Sequence, residues 1–141
     1  MKNAGREEGD AFLPKFSSDG LITAIISEAG TGAPLMVAHM NAEALERSVV
    51  TGEAHFWSRS RGEIWHKGAT SGNILTIREM RIDCDQDAVW LSVEIAGHGA
   101  ACHTGRKSCF YRKVEIGPDG NTILTATGDA PVFDPADIYS K

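Results

Sequence analysis

The feature that most restricts the fold of this chain is a succession of short strand-forming runs separated by turn signals. The runs are rich in β-branched and aromatic residues, and glycine, proline, asparagine and aspartate punctuate the gaps between them. The pattern predicts an α+β domain, rich in strands, with a mixed or antiparallel sheet. The predicted strands are Leu21–Ser27, Leu35–Met40, Ala54–Ser58, Glu63–His66, Ile74–Ile82, Val89–Ile95, Cys109–Ile116 and Ile123–Ala126.

A single segment, Asn41 to Val50, has the signals of a helix. Asn41 is a favourable N-cap, and Glu43 lies near the positive end of the helix dipole. Gly52 follows as a stop signal. We therefore predict one main helix between the second and third strands, and no regular structure in the polar segments Met1–Asp10 and Pro131–Lys141.

Composition indicates a small soluble protein that does not bind nucleic acid or membranes. A length of 141 residues suits one domain, and a net charge of −5 argues against binding to nucleic acid or anionic membranes. We find no signal peptide and no apolar run of about 18 residues. The three cysteines cannot all pair within one chain, which favours a reducing, cytoplasmic setting.

Three aspartates, Asp83, Asp85 and Asp87, offer the hard oxygen ligands that Mg²⁺ and Ca²⁺ prefer. A helix–loop–helix calcium loop would need glycine at its sixth position, where this chain has Ala88. A solvated acidic turn is a second alternative. If the preceding strand continues to Asp87, period-two alternation places the carboxylates on one face and Cys84 on the other. Cys84 would then serve a zinc ion held outside its own sheet, for example by a second chain.

Two further cysteines, Cys102 and Cys109, bracket a loop with His103, and these are ligand types suited to Zn²⁺. Their spacing exceeds that of a zinc knuckle, but Gly105 lets the loop turn tightly enough to bring both sulfurs to one ion. Three zinc ligands would leave a position open for water, as a catalytic zinc requires. The alternatives are inert buried thiols and a closed structural zinc completed by His103 or His98. A redox-active disulfide is a less well supported interpretation, because no Cys-x-x-Cys motif is present.

The segment from Phe56 to Gly72 is dense in groups that bind phosphates and planar rings. Trp65 could stack on a base, although a packing role is the ordinary alternative for a tryptophan. Basic residues in the cysteine loop also suit a phosphorylated substrate, though such residues are often only solvated. The candidate substrate-binding residues are Arg59, Arg61, Trp65, Lys67, Thr70, Ser71, Arg106 and Lys107.

Together these motifs resemble those of the phosphoribosyl-AMP cyclohydrolase family of histidine biosynthesis, in its monofunctional form. The most specific are the Asp-Cys-Asp-x-Asp run at 83–87 and the Cys-His-Thr-Gly-x-x-Ser-Cys-Phe run at 102–110. Further matching runs are Met36–Asn41, Phe56–Arg61 and Trp65–Gly72. We accordingly expect a flexible N-terminal arm over residues 1–14, a cyclohydrolase domain over 15–116 and a C-terminal extension over 117–141.

The resemblance implies a metal-dependent hydrolase that opens the adenine ring of phosphoribosyl-AMP at the C6–N1 bond with zinc-activated water. It implies an obligate homodimer in which each zinc site takes one cysteine from the partner chain. His103 is the expected general acid or base, because it adjoins a zinc ligand. A zinc-stapled binding module without catalysis is the alternative function. The implied ligands are Asp83, Asp85 and Asp87 for Mg²⁺ and Cys84, Cys102 and Cys109 for Zn²⁺, with Cys84 from the partner.

Overall fold

The computed structural model describes residues 4–139, and its main helix and strands lie where the sequence predicts them. Strand bounds agree to within one residue, apart from β7, which begins three residues later than predicted. No described helix is long and apolar enough to cross a membrane. In chain order the elements are α1 (Ala4–Glu8), β1 (Ile22–Glu28), β2 (Pro34–Met40), α2 (Ala42–Thr51), β3 (His55–Ser58), β4 (Glu63–His66), β5 (Leu75–Ile82), β6 (Ala88–Ile95), β7 (Arg112–Ile116), β8 (Thr122–Ala126) and α3 (Pro135–Tyr139).

Four of the strands form a central sheet in the order β2-β1-β6-β5. β1 and β6 run parallel, and the two outer pairs are antiparallel. β3 and β4 form a separate antiparallel hairpin, and β7 and β8 form another. The predicted α+β domain with a mixed sheet is therefore confirmed.

The main helix, α2, is bounded by the two caps that the sequence indicates. The Asn41 side chain accepts a hydrogen bond from the backbone N–H of Ala44 at 2.8 Å. Gly52 ends the helix in the left-handed conformation, with φ at 73°, and its N–H donates to the Ser48 carbonyl. Both caps satisfy backbone groups that the helix cannot pair internally.

One face of the central sheet forms the core, because alternate side chains of β1 and β6 point to the same side. α2 and the β3–β4 hairpin cover this face. The buried side chains include Ile22, Ala24 and Ile26 of β1, Val89, Leu91 and Val93 of β6, Ala44 and Leu45 of α2, and Phe56 of β3.

The opposite face of the sheet carries an exposed apolar row, which we define as Val37, Ile25 and Trp90. These residues are direct neighbours across β2, β1 and β6. They are 50%, 44% and 41% exposed. Large apolar side chains aligned in this way on a sheet face are typical of a surface that another protein covers.

The three aspartates lie in a turn, so the condition that the preceding strand continues to Asp87 is not met. β5 ends at Ile82, and the chain reverses there into β6. The N–H of Asp83 donates to the Ala88 carbonyl, and the N–H of Gln86 donates to the Asp83 carbonyl, both at 3.0 Å. The argument from alternating faces therefore does not apply to Cys84.

Both terminal segments contain short helices, where the sequence predicts no regular structure. α1 is held because the Gln86 side-chain amide donates to the Arg6 carbonyl at 2.7 Å. α3 begins where the Asp134 carboxylate accepts a hydrogen bond from the N–H of Ala136 at 3.0 Å. Residues 1–3 and 140–141 of these two predictions lie outside the described residues. The domain boundaries at 14/15 and 116/117 stay predictions.

Candidate metal and substrate site

The turn between β5 and β6 gathers the three aspartate side chains. One carboxylate oxygen from each of Asp83, Asp85 and Asp87 lies within 4.8 Å of the other two. Neighbouring oxygens around an octahedral Mg²⁺ are about 3 Å apart and opposite ones about 4 Å, given a metal–oxygen distance near 2.1 Å. The trio can therefore close around a divalent cation by side-chain rotation alone, without rearrangement of the fold. Among the described residues it is the only such cluster of three or more potential metal ligands.

The electrostatics of the aspartate trio also favour a cation. Hydrogen bonding to the Asp83 and Asp85 carboxyl groups and repulsion from their charges raise the pKa of Asp87 to about 6. Burial acts to raise the pKa of Asp83, but hydrogen bonds from the Asp87 carboxyl and from the N–H groups of Ala88 and Asp87 lower it overall. A bound cation would relieve the repulsion that keeps a proton on Asp87.

The Gln86 side chain, buried in the same turn, ties the N-terminal segment to the aspartates. Its amide donates to the carbonyls of Arg6 and Ala11, and its oxygen accepts from the N–H of Leu13 at 2.7 Å. The Gln86 carbonyl accepts from the N–H of Lys15 at 2.7 Å. These bonds fix the chain just before Lys15 beside the acidic turn.

A cavity of about 420 Å³ opens next to the trio, and Asp87 forms part of its wall. Three basic side chains from distant parts of the chain, Lys15, His39 and Arg59, also line it. Burial and the nearby Arg59 charge lower the pKa of His39. The sequence predicts Arg59 as a substrate ligand but misses Lys15 and His39, since only the fold brings them to this cavity.

A second groove, of about 590 Å³, adjoins the first and shares His39 and Arg59 with it. Trp57 and Trp65 line this groove. Trp65 also packs on the buried Phe56, with ring centroids 5.2 Å apart, so it has the packing role, and stacking on a base stays a prediction. The two cavities together place basic side chains, with the carboxylates of Asp19 and Asp87, beside planar aromatic surface, an arrangement suited to a nucleotide with a bound cation.

The cysteine loop brings Cys102 and Cys109 together. The N–H of Cys102 donates to the Arg106 carbonyl at 3.1 Å, and the N–H of Gly105 donates to the Cys102 carbonyl at 3.0 Å. Gly105 has φ at 89°, and a Cβ there would overlap the Phe133 carbonyl oxygen. The predicted need for glycine at this turn is confirmed.

The two thiols interact electrostatically with each other and with Lys67. Cys102 is buried, whereas Cys109 is exposed when its backbone and side chain are taken together. Desolvation of the Cys109 thiol and the neighbouring Cys102 raise its pKa to about 12, and the Lys67 charge offsets part of this shift. The Cys102 sulfur also accepts a hydrogen bond from the Thr104 hydroxyl at 3.1 Å. Paired thiols are ligands that suit Zn²⁺.

Cys84 does not join this pair within one chain. It is exposed in the acidic turn, where it lines a shallow depression against the N-terminal segment. Among residues 4–139, Cys84 does not come together with the other two thiols in any cluster of potential metal ligands. Two soft ligands therefore lie together in this chain and the third lies apart on the surface.

The other predicted site residues are distributed among several surface positions. Arg61 contacts Ser58 and Glu63 at 3.3 and 3.6 Å and lies 6.0 Å from the Trp65 ring centre. Arg106 donates to the Asp129 carbonyl and lies over the Tyr111 ring, and Lys107 pairs with Glu28 at 2.5 Å. Substrate roles for these residues stay predictions. The three remaining candidates are His103 and Thr70, which are exposed, and Ser71, which is half-buried.

The comparisons with known proteins identify the family of this chain. The sequence profile of the family described as "Phosphoribosyl-AMP cyclohydrolase" matches residues 36–111. The chain is 57% identical over 140 residues to a phosphoribosyl-AMP cyclohydrolase of Rhizobium leguminosarum bv. trifolii, covering 99% of this chain and 92% of the relative. It is 58% identical over 140 residues to that of Rhizobium etli, with the same coverage. It is 57% identical over 141 residues to that of Agrobacterium fabrum, covering 100% and 90%. This chain belongs to the phosphoribosyl-AMP cyclohydrolase family.

Proposed function

We propose that this protein hydrolyses the adenine ring of phosphoribosyl-AMP at the C6–N1 bond, the third step of histidine biosynthesis. The observation that carries the proposal is the pairing of two sites in one small fold. A thiol pair suits Zn²⁺, and a carboxylate trio suits Mg²⁺ beside a cavity that basic side chains line. The family named in the comparisons supports the same activity.

The zinc ion would be held by Cys102 and Cys109 of one chain and by Cys84 of a partner chain. The exposure of Cys84, apart from the pair, supports a shared site and therefore a homodimer. The exposed apolar row of Val37 and its strand neighbours is a surface that a second copy could cover. When bound with one position open, zinc supplies a water molecule whose pKa is near 7.

The reaction begins with attack of water on C6, which the phosphoribosyl group on N1 makes electrophilic. Collapse of the resulting tetrahedral carbon breaks the C6–N1 bond, and N1 takes up a proton. The product is an imidazole carboxamide that carries a formamidine-type arm. His103 transfers these protons, because its imidazole is exposed and follows Cys102 directly.

Magnesium on the three aspartates would bind a phosphate of the substrate. The cavity beside Asp87 supports this placement, because Lys15, His39 and Arg59 line it and can donate to phosphate oxygens. Arg59 is also shared with the groove that Trp57 and Trp65 line, which suits the purine. The substrate would then extend from the aspartate trio along the aromatic groove.

An ultraviolet assay of ring opening on phosphoribosyl-AMP tests the proposal. The purified protein should hold about one Zn²⁺ per chain, lose activity with a zinc chelator, and recover it when Zn²⁺ is restored. A zinc-loaded protein without ring opening would instead favour the zinc-stapled binding module. Full activity in a zinc-free preparation would contradict the zinc mechanism.

A second experiment tests the role of His103. His103→Ala should keep its zinc and its melting temperature but lose roughly 10²–10⁴ in kcat, the usual contribution of a general acid or base. If zinc content falls in step with activity, His103 is a metal ligand instead.

A further inference from the structure

Lys67 is the only buried lysine or arginine among residues 4–139, with 9% of its surface exposed. It follows β4 directly, and its N–H donates to the Ala54 carbonyl at 3.1 Å. The next residue, Gly68, has φ at 91°, and a Cβ there would overlap the backbone of Asn73 and Ile74. The backbone at Lys67 is therefore closely constrained, and its side chain is held in the interior.

No carboxylate among residues 4–139 pairs with this buried ammonium group. None of the ion pairs within the described part of the chain includes Lys67. The ionisable groups that lie close enough to act on it are the Cys109 and Cys102 thiols, which become thiolates when they bind zinc. Burial lowers the pKa of Lys67, and the two thiols act to raise it. A buried charge without an opposite charge costs stability, so its partner is expected when the site is complete.

Zinc ligation by cysteine supplies that partner. Cysteine binds Zn²⁺ as the thiolate, so three thiolates and one Zn²⁺ carry a net charge of minus one. A lysine beside them brings the site to neutrality. Groups just outside the ligand set tune metal sites in this way, both in affinity and in the chemistry of the metal.

We propose that Lys67 is a positioning residue of the zinc site, whose ammonium group balances the negative charge of the Cys102 and Cys109 thiolates. The inference rests on the zinc site proposed above. It gives Lys67 a role different from the substrate contact that the sequence predicts.

The test compares the zinc affinity of three variants of the reduced, zinc-free full chain by competition with a chromophoric chelator at neutral pH. Lys67→Met removes the charge and keeps the length of the side chain. Its dissociation constant for Zn²⁺ should rise roughly 10- to 100-fold, the usual effect of losing an outer-shell partner. Lys67→Arg keeps the charge and should restore most of the affinity. Lys113→Met, which removes an exposed charge on β7, should leave the affinity unchanged.

A second measurement separates charge balance from a merely structural role. Removal of an unbalanced buried charge should leave the zinc-free Lys67→Met protein at least as heat-stable as the unaltered protein. A structural lysine would instead lower the zinc-free melting temperature. The inference is overturned if zinc affinity is unchanged in Lys67→Met. It is also overturned if affinity and zinc-free stability fall together and arginine restores neither.

These outcomes are distinct from failure of the proposed function. A protein that binds zinc but does not open phosphoribosyl-AMP would end the proposed activity, yet the loss of zinc affinity in Lys67→Met would still support the charge-balancing role. If Lys67→Met shows full turnover and unaltered zinc affinity, the proposed ring-opening activity is supported and the charge-balancing role of Lys67 is refuted.

Discussion

The buried Gln86 side chain allows a prediction whose magnitude follows from its contacts. Gln86→Ala removes three side-chain hydrogen bonds that hold the N-terminal segment, at Arg6, Ala11 and Leu13. Gln86 has φ at 60°, a left-handed conformation that is unfavourable for any residue with a Cβ. Alanine also has a Cβ, so the substitution leaves this backbone strain unchanged. At about 1 kcal/mol for each bond, docking of the segment should weaken by about 3 kcal/mol. The constant for local opening should therefore rise by about two orders of magnitude, since 1.4 kcal/mol is about tenfold.

Amide hydrogen exchange measures this effect. Exchange at Leu13 should accelerate about a hundredfold in Gln86→Ala, whereas exchange in the core strand β6 should change little. Asp85→Asn is the matched control, because it alters the same turn and leaves the Gln86 contacts in place. Unchanged protection at Leu13 would refute the view that Gln86 anchors the segment. Because that segment positions Lys15, the KM for phosphoribosyl-AMP should also rise.

Three other changes have defined outcomes. Gly105→Ala introduces a Cβ where the Phe133 carbonyl lies and at a φ that favours glycine, so the melting temperature and zinc content should both fall, and an unaltered melting temperature would contradict this packing. The pKa of Asp87 is raised to about 6, so protons compete with Mg²⁺ for this carboxylate below that pH, and calorimetry should show that Mg²⁺ binding weakens between pH 7 and pH 5. Mg²⁺ binding that does not change with pH would show that Asp87 is not a ligand. Cys84→Ala and Cys102→Ala proteins should each be inactive, but mixing them with subunit exchange should restore about a quarter of normal activity, because about half the dimers are mixed and each has one intact site of two. No recovery despite proven exchange would exclude a shared site.

Local signals in the sequence were sufficient to predict the main helix and the strands, but not the short terminal helices α1 and α3. Asn41 and Gly52 mark the ends of α2 because a cap acts through bonds to its immediate neighbours. β7 begins later than predicted because the chain before it is engaged elsewhere, with the N–H of Cys109 donating to the Leu35 carbonyl. Strand propensity alone does not encode that contact.

The acidic turn also has a local signal in the sequence. Aspartate followed by a reversal often forms a turn in which its carboxylate accepts backbone N–H groups, as Asp83 does from Asp87 and Ala88. The cavity beside the acidic turn has no comparable local signal in the sequence. Lys15, His39 and Arg59 are far apart in sequence and meet only through tertiary packing, which no spacing rule anticipates. The burial of Lys67 likewise depends on how the β3–β4 hairpin meets the cysteine loop.

The parallel pairing of β1 with β6 at the centre of the sheet has a consequence for folding kinetics. Residues 22–28 find their central partner only at residues 88–95, so the five intervening elements, β2, α2, β3, β4 and β5, must be spanned before that pairing forms. Closing such a loop carries an entropy cost before any contact compensates it, and folds dominated by distant pairings fold slowly. During synthesis, β1 can pair with β2 on the ribosome, but its other edge stays open until β6 emerges. A nascent chain halted before residue 88 would therefore present an unpaired, apolar strand edge, which is the species most prone to aggregate.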